Sequence, residues 1–412
     1  KTQGTRAVPI YQTSSYVFND SDHAANLFAL AESGYIYTRL NKPTNDVLEQ
    51  RLAAVEGGVA AVVTASGTAA IATTLLTLLK TGDHIVASSS LYGGTFNMLN
   101  NTLPRFGITT TFVDPNEPEN FGKAVQENTR AVFVESLGNP KLDVLDLEAI
   151  ATQAKQAKIP FIVDNTVATP SLLNPIQYGA NIVIHSLTKY INGNGTALGG
   201  VIIDAGNFDW ANGKFPLYDN PDSSYHGLRW GHDLPEPLAP LAFILRMRTV
   251  PLRNLGACIS PDNAWMFLQG IETLPLRMER HCSNAKAVAN HLDDKEGVEW
   301  VRYPGLNDSK SGALADKYLD GKGGAMVIFG INGGAAAGSK FIDSLELFSH
   351  LANVGDAKSL AIHPATTTHS QLSAEAQKAG GITPELVRLS VGIEHIDDII
   401  VDIDQALAKA LA

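Results

Sequence analysis

Short apolar runs alternate with longer amphipathic stretches between residues 46 and 204. The apolar runs predicted to be strands are AAVVTAS, HIVAS, TTTFVD, RAVFVES, PFIVDNT, NIVIHS and GGVIID. The stretches predicted to be helices are VLEQRLAAVE, GTAAIATTLLTLLK, TFNMLNNTLPRF and LEAIATQAKQAK. Strands that are apolar throughout and alternate with helices indicate a mostly parallel sheet covered on both faces. The pattern therefore predicts an α/β fold, in which ligands bind at the carboxyl ends of the strands.

The pattern changes outside this region. Residues 1–42 carry few helical signals and are predicted to form an exposed arm, and residues 207–254 are predicted to be a long irregular excursion. The apolar runs AMVIFGI and LVRLSVGI then indicate a smaller α+β domain. Within it, residues 340–351 are predicted to form a helix whose core-facing positions are Phe341, Ile342, Leu345 and Phe348. The expected domains are residues 1–42, 43–262 and 263–412.

Composition limits the class of protein. The 412 residues are 44% hydrophobic and 18% charged, which is typical of a globular protein with two or three domains. The formal charge of −11 argues against nucleic acid or an anionic membrane as partner. Two cysteines fit a reducing cytoplasm, and the histidines show no metal-ligand spacing, so no metal is expected. The apolar residues 60–79 divide into a strand and a helix, so a membrane span is rejected.

The stretch VIHSLTKYINGNG places Ser186, Thr188 and Lys189 directly after an apolar strand. A strand leaving the core with a solvated lysine at its end explains this stretch alone equally well. The letters S-L-T-K also match the S-x-x-K of penicillin-recognising serine enzymes. However, they end a strand, the KTG at residues 80–82 lies upstream, and no S-D-N is present. A serine hydrolase is therefore kept as the alternative from another enzyme class, with a catalytically silent scaffold behind it.

Two further features suit a cofactor. Asp164 ends the apolar run PFIVDNT, where a carboxylate is costly unless a cation meets it. Ser66-Gly67-Thr68 falls at a strand-to-helix junction, where free N–H groups bind anions. Pyridoxal phosphate (PLP) requires a lysine for its aldehyde, a carboxylate for its ring nitrogen and an anion site for its phosphate group. Each feature alone is commonplace, and a structural cation beside Asp164 would explain the carboxylate equally well.

With these residues the chain resembles the Cys/Met-metabolism PLP enzymes, which have the aspartate-aminotransferase-like fold, fold type I. The resemblance covers nearly the whole chain and rests on PIYQTSSY, YTRLNKPT, ASGTAA, LYGGT, ESLGNP, VDNTVATP, HSLTKYINGNG, LRMERH, HPATTTH and RLSVGIE. It implies a mostly parallel sheet in a large domain, a smaller C-terminal α+β domain and PLP as cofactor. It also implies a homotetramer of two dimers that share active sites.

The resemblance further implies roles for matching residues. Lys189 would hold the cofactor and move protons, Asp164 would pair with the ring nitrogen, and Tyr92 would stack on the ring and help deprotonate the incoming amine. The residues implied for the phosphate are Gly67, Thr68, Ser186, Thr188 and, from the arm of a neighbouring subunit, Tyr37 and Arg39. Those implied for the substrate are Asn139, Arg388 and Asn353.

Departures from the family pattern indicate which reaction is catalysed. Methionine γ-lyases carry a cysteine two residues past the stacking tyrosine, where this chain has Gly94. The stretches NVGDAKSL (residues 353–360) and SSYHGLRW are similar to the corresponding sequences of O-acetylhomoserine sulfhydrylases. Many cystathionine-handling members instead have Ser-Leu-Gly in the stretch that corresponds to residues 353–360. Lys42 stands where asparagine is usual. The implied reaction is γ-replacement in methionine biosynthesis, giving homocysteine and acetate from O-acetylhomoserine and sulfide. Cystathionine γ-synthase or lyase is the alternative within the family.

Overall fold

The computed structural model describes residues 4–306, 310–368, 370, 377 and 381–412. A seven-stranded sheet forms its first half, and the strands are β1 Ala60–Thr64, β2 His84–Ser88, β3 Thr109–Val113, β4 Thr129–Glu135, β5 Phe161–Asp164, β6 Ile182–Ser186 and β7 Gly200–Asp204. They lie in the order β1-β7-β6-β5-β4-β2-β3. Strand β7 is antiparallel to both neighbours, and the other pairs are parallel. The predicted strands of this region are confirmed.

Helices cover both faces of the seven-stranded sheet. The α-helices are α1 Ser21–Phe28, α2 Pro43–Glu56, α3 Gly67–Leu78, α4 Gly93–Asn97, α5 Glu119–Lys123, α6 Leu147–Gln156, α7 Thr169–Leu172, α8 Pro216–Asp219, α9 Ala242–Met247, α10 Arg253–Leu255, α11 Pro261–Glu272, α12 Leu274–Asp293, α13 Lys310–Leu319, α14 Gly334–Ser344 and α15 Ile396–Leu411. Leu52 of α2 and Ile150 of α6 belong to the core on one face. Leu75 of α3 and Phe243 of α9 belong to the core on the other.

A second sheet of five strands follows. Its strands are β8 Val298–Arg302, β9 Met326–Ile331, β10 Ser349–His350, β11 Leu360–Ile362 and β12 Leu386–Ser390, in the order β10-β11-β12-β9-β8. One face packs on α12, α14 and α15, and from the other Ile328 and Leu386 join the core of the first sheet. The predicted α/β class, with a mostly parallel large sheet and a smaller α+β part, is confirmed. The domain limits at residues 42 and 262 stay predictions.

The helix predicted over residues 340–351 is wrong in its bounds. Helix α14 begins at Gly334 and ends at Ser344. The carboxylate of Asp402 accepts hydrogen bonds from three successive backbone N–H groups, those of Glu346, Leu347 and Phe348. These bonds turn the chain out of the helix, because the donors point to a side chain instead of to the preceding helical turn. The next residues join the sheet as β10.

The excursion over residues 207–254 is irregular only in part. It contains α8 and α9, a π-helical turn Arg248–Leu252 and the start of α10. Its aromatic residues build core instead of loop surface: Trp210 stacks on Tyr218 at a centroid distance of 4.5 Å and on Phe243 at 5.4 Å. The predicted helix TFNMLNNTLPRF is likewise three helical segments, namely α4, the π-helix Met98–Thr102 and the 3₁₀-helix Leu103–Phe106.

Residues 60–79 do divide into a strand and a helix, β1 and α3, as predicted. Within the described part of the chain, no helix combines the length and apolar character that a bilayer span requires. Cys258 and Cys282 are free cysteines.

Candidate active site

A pocket opens at the carboxyl ends of the parallel strands, where ligands bind in sheets of this kind. It encloses about 840 Å³, a volume that includes the open solvent at its mouth. The lining residues include predicted site residues from five loops, namely Gly67, Thr68, Tyr92, Asn139, Asp164, Ser186, Thr188 and Lys189. The strand order brings them together, because β1, β2, β4, β5 and β6 all end at this edge.

One end of the pocket is built to hold an anion. Ser66 caps α3, and its hydroxyl oxygen accepts a hydrogen bond from the N–H of Ala69 at 3.0 Å. The N–H groups of Gly67 and Thr68 in the first turn have no partner within the helix and carry the positive end of its dipole. A Cβ at Gly67 would lie 2.6 Å from Cβ of Ser186, so only glycine permits this approach of β6. With the hydroxyl group of Thr188 nearby in the lining, the site fits a phosphate dianion.

Lys189 lies in the turn after β6, and its ε-amino group donates a hydrogen bond to Oδ1 of Asn353. Burial, and to a smaller extent the positive charge of Arg388, lowers the pKa of Lys189 to about 8. A much larger fraction of this lysine is therefore neutral near neutral pH than of an exposed lysine. Only the neutral form of an amine can attack an aldehyde.

Asp164 ends β5 with its carboxylate held by one neighbour. Its Oδ1 accepts hydrogen bonds from the N–H of Thr166 at 3.0 Å and from its hydroxyl group at 2.5 Å. Burial raises the pKa of Asp164, and the bonds from Thr166 oppose this shift. In the described residues, no lysine or arginine forms an ion pair with Asp164. Among the described residues, the structural cation is thus neither a lysine nor an arginine. His185 lowers the pKa of Asp164 electrostatically, and a protonated ring nitrogen would supply a further positive charge.

Arg388 of the second sheet lies behind the lining residue Asn139 and is hydrogen-bonded to it. Arg388 of β12 is buried and donates from Nη1 to Oδ1 of Asn139 at 3.1 Å and from Nη2 to the carbonyl oxygen of Asn353 at 3.4 Å. Burial lowers the pKa of Arg388 to about 10, which leaves it charged at neutral pH. Tyr92 lines the mouth with 53% of its surface exposed. A Cβ at Gly94 would lie 2.5 Å from Cε1 of Tyr92, so this glycine accommodates the ring.

The arm residues predicted for the phosphate do not line this pocket. Tyr37 is exposed, and the guanidinium group of Arg39 lies over its ring at 5.1 Å. Lys42, which replaces the usual asparagine, is buried at the start of α2, and burial lowers its pKa. Any contact of Tyr37 or Arg39 with a cofactor would therefore be made to another copy of the chain.

Comparison with known proteins decides the family. The model of the family described as Cys/Met metabolism PLP-dependent enzyme matches residues 1–408. The chain belongs to this family. It is therefore a PLP-dependent enzyme, and the predicted cofactor is confirmed.

Relatives of this Cys/Met metabolism enzyme are similar over nearly their whole length. A Leptospira meyeri protein named O-acetyl-L-homoserine sulfhydrylase is 57% identical over 411 residues, which are 98% of this chain and 93% of the relative. A Schizosaccharomyces pombe homocysteine synthase is 50% identical over 409 residues, 98% of this chain and 94% of the relative. A Campylobacter jejuni structure, described as an O-acetylhomoserine (thiol)-lyase with N'-pyridoxyl-lysine-5'-monophosphate, is 43% identical with a TM-score of 0.95, covering 99% of this chain and 96% of that one.

The structure thus brings most of the predicted site residues to one pocket. Arg388 and Asn353 are hydrogen-bonded to the lining residues Asn139 and Lys189, respectively. The arm residues Tyr37 and Arg39 lie outside the lining. The individual roles stay predictions. Among the polar lining residues, sequence reasoning missed Glu135 and Thr166. Thr166 follows Asp164 by two residues, a spacing at which a hydroxyl group commonly bonds a carboxylate. Glu135 ends the apolar run RAVFVES as Asp164 ends PFIVDNT, so its place at the carboxyl edge had the same local signal. The last histidine of HPATTTH, His369, lies outside the described residues.

Proposed function

We propose that this Cys/Met metabolism enzyme is an O-acetylhomoserine sulfhydrylase, which converts O-acetylhomoserine and sulfide to homocysteine and acetate. The observation that carries the proposal is the 57% identity, over 98% of the chain, to a relative of that name. The pocket supports it, since it offers an anion site and a buried lysine of lowered pKa, and its lining residue Asn139 is hydrogen-bonded to the buried Arg388.

The cofactor would be held at two points, its phosphate group and its ring nitrogen. The N–H groups of Gly67 and Thr68 and the hydroxyl groups of Ser186 and Thr188 bind the phosphate, and Asp164 pairs with the ring nitrogen. An ion pair at 4 Å is worth roughly 4 kcal/mol at an effective dielectric constant of ~20, which is enough to keep that nitrogen protonated near neutral pH. When bound, PLP supplies an electron sink that stabilises negative charge developing on the substrate carbon atoms.

Arg388 and Asn139 orient the amino-acid substrate. The planar guanidinium group presents donors in a fork that matches a carboxylate. Because the side chain of Asn139 and the carbonyl group of Asn353 already hold two of the nitrogen atoms, the fork is fixed before the substrate arrives. Binding by Arg388 therefore costs little side-chain ordering, and Asn353 contributes to the substrate site through this bond.

Lys189 moves protons at the substrate carbon atoms. Its ε-amino group removes the proton from Cα and assists loss of a proton from Cβ, after which the bond from Cγ to the acetate oxygen breaks and a bond from sulfur to Cγ forms. A base whose pKa is about 8 is suited to taking and returning protons near neutral pH. Tyr92, at the mouth, helps deprotonate the incoming amine. Overall, O-acetylhomoserine and hydrogen sulfide give homocysteine and acetic acid, so that no proton is gained or lost.

Assembly and location complete the proposal. Tyr37 and Arg39 reach the phosphate of a neighbouring subunit, so that a dimer is the smallest active unit and two dimers form a homotetramer. The exposure of Tyr37 in the single chain, with the guanidinium group of Arg39 over its ring, supports this arrangement. Two free cysteines in 412 residues fit a reducing cytoplasm.

The direct test supplies O-acetylhomoserine and sulfide to the PLP-loaded enzyme and quantifies homocysteine and acetate. We expect the two products in equal amounts, and none from Lys189→Ala. Acetate without homocysteine, formed equally by the PLP-free protein, would instead support the S-x-x-K serine hydrolase. No product from sulfide but cystathionine from cysteine would support cystathionine γ-synthase.

A second measurement tests the lysine by itself. Borohydride reduction of the holoenzyme followed by peptide mapping should place PLP on the peptide that contains Lys189. PLP trapped on a peptide lacking residue 189 would show that the lysine is misassigned, whatever the substrate.

A further inference from the structure

Glu135 is a buried carboxyl group in the cofactor site that the proposed chemistry does not use. It is the last residue of β4, lines the pocket and is 5% exposed. In the register of the sheet it lies beside Asp164, the last residue of β5. Neighbouring strands are about 4.8 Å apart, and in-register residues of parallel strands point to the same face. Two carboxyl groups therefore stand side by side under the pocket.

The carboxyl group of Glu135 is bonded to the backbone of another loop. Its Oε1 accepts a hydrogen bond from the N–H of Tyr92 at 2.6 Å. The backbone N–H of Asn139 also faces this carboxyl group and lowers its pKa. Tyr92 precedes α4 and Asn139 follows β4, so one side chain binds the loop of the stacking tyrosine and faces the loop whose asparagine holds Arg388.

The surroundings of Glu135 do not suggest an ion pair. Within the part of the chain that the structure describes, no lysine or arginine forms an ion pair with it. Burial and the neighbouring charge of Asp164 raise the pKa of Glu135, and the two N–H donors oppose the shift. In either protonation state an oxygen of Glu135 can accept the hydrogen bond from the N–H of Tyr92. A buried carboxyl group placed next to another one is costly, so this bond is the physical reason for its presence.

We propose that Glu135 is a positioning residue, which fixes the loop of Tyr92 around the cofactor through its hydrogen bond to the N–H of Tyr92. Tyr92 needs such an anchor, because two glycines follow it and its ring lies at the open mouth. The same carboxyl group faces the backbone of Asn139, whose side chain holds the Arg388 fork. This inference rests on PLP binding in the pocket, but not on the choice of acyl ester or sulfur donor.

Three substitutions separate the acceptor from the charge. Glu135→Gln keeps an oxygen of the same reach and removes the charge. Glu135→Asp keeps the charge and withdraws the oxygen by one CH₂ group. Glu135→Ala removes both. The exposed Glu119 of α5, changed to Ala, is the matched control.

The readouts are the visible circular dichroism of bound PLP, which reports how the ring is held, the Kd of PLP for the cofactor-free protein, and kcat. We expect Glu135→Gln to stay within threefold of the native protein in kcat and to keep its dichroism. Glu135→Asp and Glu135→Ala should lose at least half of the dichroic signal and tenfold in kcat. The dichroism is recorded without substrate, so it remains informative if the proposed sulfhydrylase reaction is wrong.

Three results would overturn the proposal. The first is a Glu135→Asp variant whose dichroism and kcat equal those of the native protein. The second is a folded Glu135→Ala variant with native dichroism and kcat. The third is a loss in Glu135→Gln as large as in Glu135→Asp, which would assign the effect to charge. If Glu135→Ala does not fold, the Gln and Asp variants decide the question between them.

Discussion

The guanidinium group of Arg388 and the side-chain amide of Asn139 are joined by a hydrogen bond of 3.1 Å. Arg388 lies on β12 of the second sheet, whereas Asn139 follows β4 of the first. The substrate end of the pocket therefore exists only where the two sheets meet. Its geometry depends on their packing, to which Ile328 and Leu386 contribute by joining the core of the first sheet.

Arg388→Lys should weaken binding of the substrate carboxylate. A lysine has no fork, and hydrogen bonds to charged groups contribute about 1.5–3 kcal/mol each. We expect kcat/KM for O-acetylhomoserine to fall about a hundredfold, which corresponds to roughly 2.7 kcal/mol, with most of the change in KM. Arg302→Lys, on the exposed edge strand β8, is the control. An unchanged KM in Arg388→Lys would show that the carboxylate is bound elsewhere.

Capture of PLP by the cofactor-free protein should depend on pH through Lys189. Because the neutral amine is the nucleophile and burial lowers its pKa to about 8, the rate should rise with pH up to about 8 and level off above it. Arg388→Met removes a positive charge that lowers this pKa, so its profile should move to higher pH. The measurement is the visible absorbance of newly bound PLP. A rise centred near 10.5, the ordinary pKa of lysine, would contradict the buried setting.

Gly94→Ala should displace the ring of Tyr92. The added Cβ would lie 2.5 Å from Cε1 of that ring, so the ring must rotate from its place at the pocket mouth. We expect kcat to fall about fivefold to tenfold, or about 1–1.4 kcal/mol, with little change in melting temperature. Gly312→Ala in α13, where the nearest atom to the new Cβ is 3.6 Å away, is the control. Full activity of Gly94→Ala would mean that the position of the ring does not matter.

Much of this site could be predicted from sequence because its parts are local. Apolar runs predict strands that are buried on both faces, and a polar residue directly after such a run, as with Asp164 and Lys189, must lie at the carboxyl edge of the sheet. Ser66 and Gly67 predicted the anion site for the same reason, since a strand and a helix meet there.

The remaining features depend on contacts between distant residues. Glu135 reads as an ordinary polar residue at a strand end, and only the sheet order β5-β4-β2 brings it between Asp164 and the loop of Tyr92. The end of α14 is set by Asp402, which lies more than fifty positions later in the chain. Neither relationship leaves a periodic signal, so no local pattern could have predicted them.

Complementation tests the shared site. Neither Arg39→Ala nor Lys189→Ala should be active alone, because each lesion would affect every site of its own assembly. In hybrids of the two chains, one kind of site would combine the native Lys189 of one chain with the native Arg39 of the other. We expect partial recovery of activity after mixing and reassembly. No recovery in hybrids verified by mass spectrometry would count against an arm that acts on a neighbouring subunit.

The choice of nucleophile tests the sulfhydrylase account most directly. Sulfide needs no carboxylate site of its own, whereas cysteine must bring a second carboxylate into a pocket where Arg388 is already assigned to the first. We predict that, with O-acetylhomoserine as partner, kcat/KM for sulfide exceeds that for cysteine by tenfold or more, a difference of about 1.4 kcal/mol in transition-state binding. Equal or better use of cysteine would contradict the sulfhydrylase account and support cystathionine γ-synthase.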